Sequence, residues 1–181
     1  MNITLTGFMG TGKTAVGKRL AKRLLWRFVD VDQLIEDTTQ MSVAQLFAQR
    51  GEAVFRRLER RCIRRVVRDR HQVIATGGGA FLDWHSRARL RVNGPVICLT
   101  ASPKIILERV GRQLSARPLL AGGVSPLGQI RRLLSQRASV YAQADLTLDT
   151  SHRSIEEVVQ QLWEVLSPHM CRSWQYLLEH S

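Results

Sequence analysis

The sequence predicts an α/β fold: a single domain in which helices cover both faces of a parallel sheet, in three layers. Two observations predict it. Short apolar runs alternate with amphipathic stretches along the chain, the order that parallel strands joined by crossover helices require. The chain has 181 residues, the length of one domain, and 44% are hydrophobic, enough for a sizeable core.

The elements follow in turn. "NITLT" (2–6) reads as a short apolar strand, and 13–25 carries Val16, Leu20 and Leu24 at helical spacing. "RFVDV" (27–31) reads as a strand. Ser42 with Gln45 three residues later is a capping box that starts a helix. An arginine-rich helix is expected from about Glu52 to Asp69. "QVIAT" (72–76) is a strand, 83–91 a helix, "NG" (93–94) a turn and "PVICLT" (95–100) a strand. Ser102–Pro103 and Ser125–Pro126 each pair an N-cap with proline at the first helical position, and the second helix is expected over 125–144. "DLTLD" (145–149) is a fifth strand, and Ser154 with Glu157 caps a last helix from Ile155 to about Leu166. Between two good helices lies 112–124, rich in glycine and small residues, which reads as a mobile loop.

Lysine and arginine number 27 against 15 acidic residues, a net charge of +12. Such a surface suits nucleic acid or small anionic ligands. The densest run, "FRRLERRCIRRVVRDR" (55–70), steps Phe55, Leu58, Cys62 and Val66 by three or four, which puts most of its arginines on an exposed helix face. No aromatic platform accompanies them, so no nucleic-acid partner is expected. Cys62, Cys98 and Cys171 are dispersed and odd in number, as suits reduced thiols in a cytoplasmic protein. No run of eighteen apolar residues exists and the amino terminus has no secretory pattern, so no membrane contact is expected.

"GFMGTGKT" (Gly7 to Thr14) fits G-x-x-x-x-G-K-[ST] between a strand and a helix, the context the motif requires. Its backbone N–H groups, with Gly10, Thr11, Gly12 and Ala15, are placed to wrap phosphate oxygens. Lys13 reaches the β- and γ-phosphates and Thr14 offers its hydroxyl to Mg²⁺. The motif implies ATP or another nucleoside triphosphate and leaves the acceptor open. In "FVDVD", Asp30 and Asp32 stand at i and i+2, and on a strand they point the same way. They suit a magnesium–triphosphate centre, one holding a metal-bound water and the other accepting from an attacking hydroxyl. Asp32 alternatively caps "QLIEDT". A second glycine cluster, "VIATGGG" (73–79), ends a strand without any lysine.

Together, "GFMGTGKT", "FVDVDQLIE", "GEAVFRRLE", "VIATGGGA", "RPLLA" and the Arg–Tyr of "QRASVY" resemble the shikimate kinase family of P-loop kinases, over roughly residues 1–166. The resemblance implies a five-stranded parallel sheet in order 2-3-1-4-5 and a mobile lid at about 110–124. It implies a kinase domain over 1–168 with a substrate-binding segment at about 32–60, and a tail over 169–181. It implies transfer of the ATP γ-phosphate to shikimate, with Mg²⁺, by a cytoplasmic monomer. Asp32 then looks like the residue that binds the shikimate hydroxyls and acts as base, and Asp30 like the metal-directed carboxylate. Arg56 and Arg137 look like the clamp on the substrate carboxylate, with Glu59 orienting Arg56. Arg117 looks like the lid arginine and Arg153 like an adenine-side contact, with Arg109 and Arg112 as further adenine-side candidates. Gly77, Gly78 and Gly79 look like a bare floor for the acceptor, the Gly78 N–H donating to it. A gluconate kinase would share the P-loop, but not "FVDVD", "GEAVFR" and "TGGG" together; a silent ATP-binding domain would be signalled by loss of Asp32, Arg56 or Arg137, and all three are present.

Overall fold

The computed structural model describes residues 1–111 and 125–179, with side chains described as far as residue 167. Its five strands are β1 (Ile3–Thr6), β2 (Arg27–Asp30), β3 (Gln72–Ala75), β4 (Val96–Thr100) and β5 (Leu146–Asp149). They form one sheet in the order β2-β3-β1-β4-β5, every pair parallel, as the family resemblance implies. The helices are α1 (Lys13–Leu24), α2 (Val31–Thr39), α3 (Val43–Val66), α4 (Trp84–Val92), α5 (Pro103–Val110), α6 (Pro126–Tyr141) and α7 (Ile155–Glu179).

Because strand side chains alternate faces, β2, β3 and β4 each feed two cores, while the apolar residues of β1 and β5 all face one of them. On β4, Val96 and Cys98 face one core, and Ile97 and Leu99 the other. The first core takes Ile35, Ile63, Leu90, Ile106 and Ile130, one from each of α2 to α6. The second takes Leu20 and Ala21 from α1 and Val158 and Leu162 from α7. The three-layer expectation holds.

The helix starts follow their sequence signals. Gln45 N–H donates to Ser42 Oγ at 3.1 Å while Ser42 N–H donates to Gln45 Oε1 at 2.8 Å, closing the expected box. Ser102 and Ser125 cap α5 and α6 ahead of their prolines. Gly51, at φ 76°, breaks α3 internally, which divides it where the sequence predicts two helices. Two boundaries differ from expectation. β2 stops at Asp30 and α2 begins at once, so Asp32 lies in a helix and not on the strand. The backbone of α7 continues past Pro168 to Glu179, although proline disfavours a helix interior and suggests a stop there.

Parallel strands open all their carboxyl ends on one edge, and ligands of such sheets bind there. The loops after β1 and β3 and the start of α2 after β2 lie side by side on that edge. Leu20 is fully buried against the second core. Leu20→Ala should therefore lower the unfolding free energy by about 2–5 kcal/mol in urea titrations. A loss below about 1 kcal/mol would mean that α1 is not tightly packed.

Candidate active site

The loop after β1 holds its shape through glycine and its own polar atoms. Gly7 sits at φ 129°, and a Cβ there would lie 2.1 Å from the Leu99 carbonyl oxygen. Thr11 Oγ1 donates to the Phe8 carbonyl at 2.8 Å. Lys13 Nζ donates to the carbonyls of Gly7 (3.0 Å) and Phe8 (2.7 Å). No side chain caps α1, and its N-cap Gly12 is left-handed, so the helix amino terminus opens onto the loop. That end favours an anion. Gly10, Gly12, Lys13, Thr14 and Ala15 line a cleft of about 270 Å³. Arg109, from α5, donates to Gly10 O at 3.3 Å and to the Thr150 carbonyl at 2.7 Å, tying the loop to the end of β5.

Asp30 and Asp32 reach this cleft by a different route from the one expected. Asp30 is the N-cap of α2, and its Oδ1 accepts from Asp32 N–H at 3.1 Å. The cap is thus Asp30, where the sequence offered Asp32 as the alternative. Capping with one oxygen leaves Asp30 Oδ2 to accept from Thr14 Oγ1 at 2.8 Å. Asp32, in the first turn of α2, lines both this cleft and the neighbouring one.

The neighbouring cleft, about 660 Å³, is bounded by α2, α3, the glycine cluster and α6. Arg56 is aimed into it by two carboxylates. Its Nη1 donates to Glu59 at 2.8 Å and its Nη2 to Glu52 at 2.9 Å. It also lies over the Phe55 ring at 5.3 Å. Although burial works against its charge, Glu59 and Glu52 hold the Arg56 pKa above its usual value. Glu59 is 1% exposed. Burial pushes its carboxyl up to about 7, against the pull of Arg56 and with the help of the Asp32 and Asp83 charges. Arg137 is 6% exposed. It lies over the Phe8 ring at 5.3 Å and donates to Gly78 O at 3.1 Å.

The same Gly78 oxygen accepts from Tyr141 Oη at 2.6 Å. Burial pushes that hydroxyl's pKa up to about 12, so it remains a donor. Sequence reasoning gave Tyr141 no role. Its spacing from Arg137, one helical turn along α6, is the signal that puts both on one face.

The three glycines are there for space, not for unusual backbone. None of them has a positive φ, unlike those of the first loop. A Cβ at Gly77 would lie 2.5 Å from Asp32 Oδ1 and 2.6 Å from Glu59 Oε1. One at Gly79 would lie 2.5 Å from both terminal nitrogens of Arg56. At Gly78 the nearest atom is 3.5 Å away, an ordinary contact. Two of the three therefore make room for charged side chains, and Gly78 borders both clefts.

The structure thus brings Gly10, Gly12, Lys13, Thr14, Ala15, Asp30 and Asp32 to one cleft. It brings Arg56, Gly77, Gly78, Gly79 and Arg137 to the other. Met9, Thr14, Asp30, Asp32 and Gly78 are the shared wall. Thr11 is buried beneath the first loop. Arg153 lines neither cleft; it donates to the Asp149 carbonyl and borders a groove of about 690 Å³ beside Arg19 and Arg23. Arg109 holds the position at the first loop instead. Arg112, Arg117 and nearly all of the expected lid lie outside the described residues.

A phosphate-binding loop joined through one wall to a separate cleft of aimed arginines defines a P-loop kinase of small molecules. The family model for shikimate kinase matches residues 9–167. The chain is 44% identical to a shikimate kinase of Thermus thermophilus over 92% of this chain and 90% of that one. It is 46% identical to the shikimate kinase of Symbiobacterium thermophilum, covering 92% and 96% of the two chains. The solved shikimate kinase from Acinetobacter baumannii, in complex with shikimate, superposes with a TM-score of 0.87 at 34% identity, covering 92% of this chain and 93% of that one. A gluconokinase from Sinorhizobium meliloti, at 16% identity and a TM-score of 0.58, shares the fold. The chain belongs to the shikimate kinase family and is a phosphotransferase with an alcohol acceptor.

Glu59 makes a prediction about pH. Its unfolded carboxyl titrates near 4.5 and its folded one near 7, so the folded state binds the extra proton between those values. Stability should fall as pH rises through that window, by at most about 1.4 kcal/mol per unit, and level off above it. Glu59→Gln should remove this component. Parallel urea-unfolding profiles for the two proteins between pH 5 and 8 would contradict the assignment.

Proposed function

We propose that the protein transfers the γ-phosphate of ATP to the 3-hydroxyl of shikimate, giving shikimate 3-phosphate and ADP. The observation that carries this reading is the shared wall, where Asp32 borders both the phosphate-loop cleft and the arginine cleft. Phosphoryl transfer needs mainly positioning and charge neutralisation. Lys13 and the loop N–H groups hold the donor phosphates. Arg56 and Arg137 present forked donors that match a carboxylate. The acceptor ring lies against Gly77, Gly78 and Gly79, the Gly78 N–H donating to it, and Asp32 takes the proton of the attacking hydroxyl.

Thr14 Oγ1 and Asp30 Oδ2, 2.8 Å apart beside the loop, are the hard oxygen donors that suit Mg²⁺. Bound there with ATP, the ion would neutralise charge on the phosphates. Arg117 takes the lid role, and Arg153 or Arg109 the adenine side, on the family pattern. The protein acts as a cytoplasmic monomer on small molecules, with its kinase domain over 1–168 and a tail beyond. No described helix is long and apolar enough to cross a membrane.

The test is coupled ADP release with Mg-ATP and a panel of acceptors. Turnover on gluconate and none on shikimate would overturn the reading. Asp32→Asn should lower turnover on shikimate by about 10²–10⁴ while ATP still binds; wild-type rates would remove Asp32 from the chemistry. Gly79→Ala should raise the shikimate KM about tenfold or more, because the new methyl displaces Arg56, and leave the ATP KM unchanged. An unchanged shikimate KM would contradict the Arg56 clamp.

A further inference from the structure

We propose that the concavity between α3 and α4 is a second ligand site, for a compact anion bearing two or more phosphate groups. It shares no lining residue with either cleft of the active site.

On α3, Arg57, Arg60, Arg61 and Arg64 stand at i, i+3, i+4 and i+7, the spacing of a single helix face. The opposite face buries Phe55, Glu59 and Ile63. Along the other wall, α4 sets His85 and Arg89 one turn apart. The space between is about 360 Å³, within the range of small-molecule sites. Asp83 is the carboxylate at its edge, and it is already engaged. It accepts from Arg60 at 3.3 Å and from the N–H and Oγ of Ser86 at 2.9 and 2.8 Å. Among the described residues, Arg57, Arg61, Arg64 and Arg89 form no ion pair.

Like charges at i and i+4, as in Arg57–Arg61 and Arg60–Arg64, oppose the helix that carries them. An anion bridging α3 and α4 offsets that repulsion. Guanidinium groups match phosphate oxygens in forked pairs, so several converging arginines select several phosphates. Convergence from two helices on one small concavity favours a compact ligand over a polynucleotide, which tracks along an extended groove.

The experiment is calorimetric titration of the full chain with inorganic tripolyphosphate, in saturating ADP so that the phosphate loop is filled. One further site is expected, weakening as salt rises. In Arg57→Gln/Arg61→Gln/Arg64→Gln, and separately in Arg89→Gln, affinity should fall tenfold or more with turnover unchanged. No binding by the wild type, or equal binding by the variants, would overturn the proposal. So would tighter binding of a single-stranded RNA oligomer through the same arginines, which would make the face a polynucleotide surface.

Discussion

Everything at the site depends on where β3 pairs. It lies between β1 and β2, with Ala75 level with Leu5 on one side and Asp30 on the other. Thr76 N–H then donates to Leu5 O at 3.0 Å, carrying the pairing one residue past the strand. That register sets the phosphate loop, the Asp30 cap and the glycine cluster side by side. A one-residue slip would turn every side chain of β3 to the wrong core and separate the two clefts. The shared wall is therefore a product of sheet pairing more than of any local loop.

Upon that frame the charges are arranged unevenly. The chain is strongly basic, with only 15 acidic residues, yet Asp30, Asp32, Glu52 and Glu59 all line or support the clefts. They aim arginine and complete the phosphate loop. Glu59 shows the cost most plainly: burying a carboxylate without full pairing destabilises a fold, and here its carboxyl holds its proton to about 7. Arg137 is settled differently, by a carbonyl oxygen and an aromatic ring instead of a carboxylate. Arg56 and Arg137 thus differ in how firmly pH can alter their surroundings.

Much of this was legible in the chain. Short apolar runs and serine caps mark the elements, and the P-loop pattern marks the phosphate loop. Asp30 and Asp32 were found with the wrong geometry. Aspartate suits a strand end and a helix cap alike, and the sequence carries no signal for which of the two closes β2. The purpose of Gly77 and Gly79 was not legible. The atoms that exclude a side chain there belong to Asp32, Arg56 and Glu59, distant along the chain and adjacent only once folded. Arg153 lines neither cleft, because its guanidinium turns back to the carbonyl of Asp149, at the end of β5.

The crowding around those glycines has an evolutionary consequence. A methyl group at position 79 and a guanidinium at position 56 cannot occupy their present places together, and the same holds for position 77 with Asp32 and Glu59. Any side chain at either glycine therefore displaces the charged tip that now fills its space. Drift at this corner is coupled: a single change at the strand end also moves a side chain of the helix opposite, so the acceptor cleft is altered from both sides in one step.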